Sequence, residues 1–237
     1  MVSTLAGSAV SGMMGMAGGA FILAVMASVV QTEYIIPLHA VVASMSNGTR
    51  VIIFYRHIRW KVVAFFVVGM VPGAFIGINV FRMIDPHVIK LSMGVFILAM
   101  AFLPMNGEGK GRGYGIFAPV GFFAGLLGII FGATGPLIAR FFLRSDISKE
   151  ELVGTKAACQ AAGHLVKIPL FGMVIGANVL QNGQVLLWLG IMVVVGTLLG
   201  KTLLNRISER VFRIIYRVGL GAIALRIIIV ELMAMWY

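Results

Sequence analysis

The stretch Ala124-Gly125-Leu126-Leu127-Gly128-Ile129-Ile130-Phe131-Gly132-Ala133-Thr134-Gly135-Pro136 is apolar enough for a membrane helix but cannot stay helical to its end. Proline removes a backbone donor and glycine loosens the turn before it, so a break is expected at Gly132–Pro136. A related run, Ser11-Gly12-Met13-Met14-Gly15-Met16-Ala17-Gly18-Gly19, stands near the start of the chain. Glycine interruptions in matching places of two hydrophobic halves point to a transporter's binding site. Inside a bilayer such a break survives only where protein or a water-filled cavity satisfies the freed backbone groups, and its exposed amide end attracts anions.

The surrounding composition fits that setting. Of 237 residues, 60% are hydrophobic and 11% charged, and the mean hydropathy is +1.02, which leaves too little polar surface for water. A crossing needs roughly 20 apolar residues, and apolar runs fall at 4–30, 35–55, 62–81, 88–104, 115–139, 152–175, 184–204 and 212–232. The expected class is an all-α polytopic membrane protein of about eight transmembrane helices, in two similar halves with broken glycine-rich helices. The first run has no basic leader and is followed by more runs, so it reads as a retained span, not a secretory signal.

The halves align in order: Gly12 with Gly125, Gly48 with Gly163, Gly73 and Gly77 with Gly196 and Gly200. Pro72 to Lys90 faces Val195 to Arg213 without a gap. This gives a first repeat at 1–104, a polar glycine-dense linker at 105–114, and a second repeat at 115–237. Four crossings per half imply repeats of the same orientation, related by an axis along the membrane normal; three crossings plus a re-entrant loop would invert them. The spaced pairs Gly73/Gly77, Gly121/Gly125, Gly128/Gly132, Gly172/Gly176 and Gly196/Gly200 are expected mainly to let helices approach closely.

The net charge of +11 does not point to nucleic acid, because no solvated basic face with aromatic platforms accompanies it. With every run counted as a crossing, Arg82, Lys90, Arg140, Arg144, Lys149, Lys201, Arg206, Arg210 and Arg213 fall on one side, and Arg56, Arg59, Lys61, Lys110 and Arg112 on the other. The positive-inside rule then leaves both termini outside the cytoplasm. Arg50, Lys156, Lys167, Arg217 and Arg226 lie within spans, against Glu231 alone among the acids, and a surplus of buried positive charge suits an anionic cargo. Lys156, Arg217 and Arg226 are expected to snorkel to the headgroups.

Gln160, His164 and Lys167 share one helical face. The corresponding face of the first half carries Ser46, Asn47, Thr49 and Arg50. At 1.5 Å per residue Gln160, Thr134 and Pro136 all lie about 12 to 14 Å from one membrane face. Catalysis finds no support: there are no paired carboxylates in a span, no His-Glu-x-x-His, no Gly-x-Ser-x-Gly and no Walker lysine. His39, His57, His87 and His164 are scattered, so neither a metal nor another cofactor is expected. Cys159, the one cysteine, reads as a small packing residue.

The glycine clusters, the Gly132–Pro136 break, Ser148-Lys149-Glu150-Glu151-Leu152-Val153-Gly154-Thr155 and Ile58-Arg59-Trp60-Lys61 together resemble the TauE/SafE family of sulfite and organosulfonate exporters. The resemblance implies a multi-pass permease of the bacterial inner membrane that moves small sulfur-containing anions such as sulfite or sulfoacetate. The expected anion site joins Gly15, Gly18 and Gly19 with Gly132, Thr134 and Gly135, and adds hydrogen bonds and charge from Asn47, Arg50, Gln160, His164 and Lys167. The expected partners are the small anion and the bilayer, with coupling to protons or another ion, and homodimerisation, left open. An anion channel and a non-transporting scaffold are the rivals; saturable flux with counterflow separates the first, and insensitivity to Lys167→Ala or His164→Ala the second.

Overall fold

The computed structural model describes residues 18–102, 113–142, 147–176 and 209–236, with Val179, Gln184, Leu187, Trp188 and Ile191. Among these residues there are eight α-helices: α1 (Gly18–Val29), α2 (Thr32–Ile53), α3 (Trp60–Phe81), α4 (Pro86–Phe102), α5 (Phe117–Phe131), α6 (Gly135–Phe142), α7 (Lys149–Val174) and α8 (Glu209–Trp236). Helix α3, α5 with its 3-10 lead-in, α7 and α8 contain segments long and apolar enough to cross a membrane. Helix α2 matches them in length but carries His39, Ser44, Asn47, Thr49 and Arg50, and stands outside that set. The outer surface is apolar: Val68 is 70% exposed, and Phe75, Ile76, Ile229, Val230 and Met233 also face outward. Such a patch is a liability in water and the ordinary surface of a protein solvated by lipid.

Glycine decides the closest helix pair. A Cβ on Gly69 or Gly73 would collide with the backbone of Ala118 or Phe122, and one on Gly121 or Gly125 with that of Phe66 or Met70. Both series ascend together, so α3 and α5 run parallel in backbone contact, as small residues allow without water to drive packing. Gly172 and Gly176 face open space instead, and Gly196/Gly200 lie outside the described residues.

Helices α2 and α7 pack antiparallel. His39 meets His164, with ring centroids 5.4 Å apart, while a Cβ on Gly154 would lie 2.9 Å from Phe54 Cβ at the far end of α2. Helix α7 starts at a capping box, in which Ser148 Oγ accepts from Glu151 N (3.1 Å) and Glu151 Oε2 accepts from Ser148 N (2.9 Å). Arg59 forks onto the same carboxylate through Nε and Nη2, both at 3.0 Å, and its backbone N–H donates to Thr155 Oγ1 at 2.9 Å. Helices α4 and α8 are also antiparallel: His87 Nδ1 lies 2.7 Å from Glu231 Oε2, and Gly94 abuts Ile227 and Ile228.

The expected fifth span, 115–139, is not one crossing. Helix α5 ends at Phe131, and α6 begins at Gly135 and returns alongside it, since the Phe142 ring packs at a tilt against Phe117 at the start of α5 with centroids 5.0 Å apart. Two collinear helices would hold those rings about 37 Å apart. The reversal turns on Gly132, whose φ of 82° only glycine adopts without strain.

Two expectations fall with this. Counting 115–139 as a crossing placed Arg59 and Lys149 on opposite sides of the membrane, whereas Arg59 bonds to Glu151, so the α2–α3 turn and the start of α7 share one end of the bundle. Residues 115–139 therefore do not supply one simple crossing, and the argument for same-orientation repeats that counted them as one is removed. The expected span 184–204 lies largely outside the described residues.

Candidate functional site

The α5–α6 reversal ends beside the polar face of α7. Gly132 caps α5, where a helix concentrates unpaired carbonyls and partial negative charge, and its carbonyl accepts from Lys167 Nζ at 2.7 Å. Lys167 is 4% exposed. Gly128, one turn earlier, leaves the room for it: a Cβ there would lie 3.1 Å from Nζ. Helix α1 closes the other side, because a Cβ on Gly132 would fall 2.6 Å from Leu23 Cδ1.

A cavity of about 20 Å³ lies at this junction, lined by Thr134, Gln160, His164 and Lys167 with Gly125 and Cys159. Among the described residues, no carboxylate lines it. Its size suits one water molecule and not an oxyanion. Thr134 O accepts from Ile138 N at 3.1 Å, which makes Thr134 the first cap of α6. The amides of Gly135 and Leu137 then belong to a helix N-terminus, the end that favours negative charge, and Pro136 contributes none.

Thr134, Gln160, His164 and Lys167 thus come together as expected from their spacing and depth, with Gly132 and Gly135 supplying the turn. Gly19 joins at one remove: His39 Nε2 lies 3.0 Å from its carbonyl, and the His39 ring meets His164 edge-on. Gly18 opens α1, and Gly15 lies outside the described residues. Asn47 and Arg50 do not line the cavity. They sit further along α2, where Asn47 Nδ2 donates to Ala43 O (2.9 Å) and Arg50 Nη1 donates to Asn47 Oδ1 (3.2 Å).

Residues 1–227 match the family described as sulfite exporter TauE/SafE. The chain belongs to the TauE/SafE family. No curated protein and no solved structure matches this TauE/SafE chain significantly. Members of the family are transporters and not enzymes, and with its apolar helices this one is a multi-pass membrane protein.

Two buried polar residues on α2 and α7 were misjudged or missed in the sequence. His39 had a usable signal, because His39, Asn47 and Arg50 repeat the spacing of Lys156, His164 and Lys167. Lys156 was expected to snorkel, yet it is 3% exposed and its Nζ has no hydrogen-bond partner among the described residues. The antiparallel register of α2 and α7, with His39 at His164 and Phe54 at Gly154, sets Lys156 across from Arg50. Arg217 and Arg226 are exposed. Glu231 gives the cavity no counter-charge: it pairs with His87 and lies 4.0 Å from Lys90.

Proposed function

We propose that this protein is a secondary transporter that exports small sulfur-containing anions, sulfite and organosulfonates among them, across a bacterial inner membrane. The carrying observation is Lys167, a buried cation held on a helix-terminal carbonyl in a cavity that no carboxylate among the described residues lines. Charges at such depth are kept for a pathway or a ligand. In the open state Lys167 turns from Gly132 O to the anion, whose oxygens also take the α6 amides, Thr134 Oγ1 and the Gln160 amide. Three-oxygen anions suit a donor set of this kind.

Two features support a site shared between 1–104 and 115–237. Helices α2 with α7, and α4 with α8, are matching members of the proposed repeats, and each packs antiparallel on its counterpart, as halves related by an axis in the membrane plane would. Helix α1 and helix α6 both begin at a glycine cluster and at the depth of Lys167, with Leu23 against Gly132. Alternating access then becomes movement of one inverted half against the other.

Orientation follows from the corrected topology. Among the described residues, the chain positions of Arg56, Arg59, Lys61, Arg140, Lys149, Arg210 and Arg213 lie towards one end of the bundle, against those of Arg82 and Lys90 at the other. The positive-inside rule assigns the first end to the cytoplasm and the C-terminus to the outside. Proteoliposomes loaded with sulfite test the function: saturable efflux with counterflow supports a transporter, linear flux without counterflow a channel, and no flux a scaffold.

A further inference from the structure

We infer that Lys156, with Arg50 beside it, forms a second anion-holding station on the α2–α7 seam, between the arginine-rich end of the bundle and Lys167. This rests on the transport reading and deepens it: Lys156 loads the cargo that Lys167 translocates. Eleven residues separate the two lysines along α7, about 16 Å at helical rise. Lys156, Gln160, His164 and Lys167 follow one another at helical spacings of four, four and three, so they form one stripe of donors. His39, Asn47 and Arg50 form the facing stripe on α2. Four buried side-chain polar atoms lack a hydrogen-bond partner among the described residues, and all lie on these two helices: His39 Nδ1, Ser44 Oγ, Lys156 Nζ and His164 Nδ1.

Lys156 differs from Lys167 in an instructive way. Lys167 has a carbonyl to rest on, whereas Lys156 Nζ has no hydrogen-bond partner among the described residues, and the register that pairs His39 with His164 and Phe54 with Gly154 sets it across from Arg50. Glu151, one turn and a residue earlier on α7, is taken by Arg59 and Ser148 and gives Lys156 no direct contact. Buried polar atoms are normally paired, and a buried cation without a partner is costly. A methionine of similar volume would fill the space without that cost. A buried ammonium that has no hydrogen-bond partner among the described residues is complementary to a small anion, which supplies both the charge and the acceptors it lacks. Gln160 then bridges the stations, since it follows Lys156 by one turn and also lines the Lys167 cavity.

Equilibrium binding of [35S]sulfite under argon to the purified full-length protein tests this. Wild type is expected to hold two anions per chain, and Lys156→Met and Lys167→Met one each, while Lys156→Arg retains two. Lys156→Met is also expected to melt at a higher temperature than wild type without anion, and to raise the sulfite concentration for half-maximal efflux about tenfold with the maximal rate within twofold. A merely structural lysine would not combine a gain in stability with a lost anion. One anion per wild-type chain, lost in Lys167→Met and kept in Lys156→Met, overturns the second station and leaves the transport reading standing. Two anions in both wild type and Lys156→Met overturn its location, and no sulfite bound to wild type overturns station and transport reading together.

Discussion

Lys167→Met removes one charge and leaves volume and helix propensity almost unchanged, so its consequences divide cleanly between fold and function. In this arrangement Gly132 O loses a charged donor at 2.7 Å, which costs about 1.5–3 kcal/mol. Against that, the variant no longer buries a cation, a penalty of several kcal/mol. The melting temperature should therefore stay within a few degrees of wild type or rise. Binding has no such offset, because truncating one partner of a buried charged hydrogen bond costs 2–5 kcal/mol, and about 3 kcal/mol is roughly 150-fold in affinity. We expect initial sulfite efflux from proteoliposomes at subsaturating load to fall about 100-fold, with Lys61→Met, an exposed cation at the start of α3, as the control at wild-type rate. Efflux by folded Lys167→Met within twofold of wild type would refute the reasoning.

Three further outcomes follow from the packing. Gly73→Val drives a side chain into the Phe122 backbone and should destabilise by at least the 1–3 kcal/mol of an overpacked core, measured as a lower melting temperature in detergent; Gly172→Ala, with open space around it, should be neutral or raise it by about 0.5–1 kcal/mol. Gly132→Ala combines a φ of 82° with a methyl 2.6 Å from Leu23, so a loss of at least about 1 kcal/mol is expected, and adding Leu23→Ala should recover only the steric part. Glu151→Ala removes one side of the capping box and both Arg59 contacts; about 1–2 kcal/mol should be lost, and the difference from wild type should shrink in high salt.

What the sequence disclosed was what local chemistry decides. The break at Gly132–Pro136 was legible because glycine and proline end a helix wherever they stand, and the convergence of Thr134, Gln160, His164 and Lys167 because helical spacing and depth are properties of the chain alone. The direction taken after the break was not legible. It depends on Phe142 finding Phe117, a contact that no local pattern encodes, and the misassigned sides of Arg59 and Lys149 followed from it. Lys156 was misjudged for a similar reason: snorkelling is a fair expectation for a lysine two turns into a helix, but the outcome depends on which neighbour that face meets, and here it meets α2. The two motifs Ile58–Lys61 and Ser148–Thr155 gave no sign that Arg59 would join them.

The most direct measurement is thermal unfolding of the purified protein titrated with sulfite, sulfate, thiosulfate, sulfoacetate, taurine and carboxylates, beside cations and neutral solutes, in wild type and Lys167→Met. A ligand that binds only the folded state raises apparent stability with its concentration. The account predicts stabilisation by one or more small sulfur oxyanions that is largely lost in Lys167→Met. Stabilisation confined to cations or neutral solutes, or a sulfite response unchanged in Lys167→Met, would contradict it.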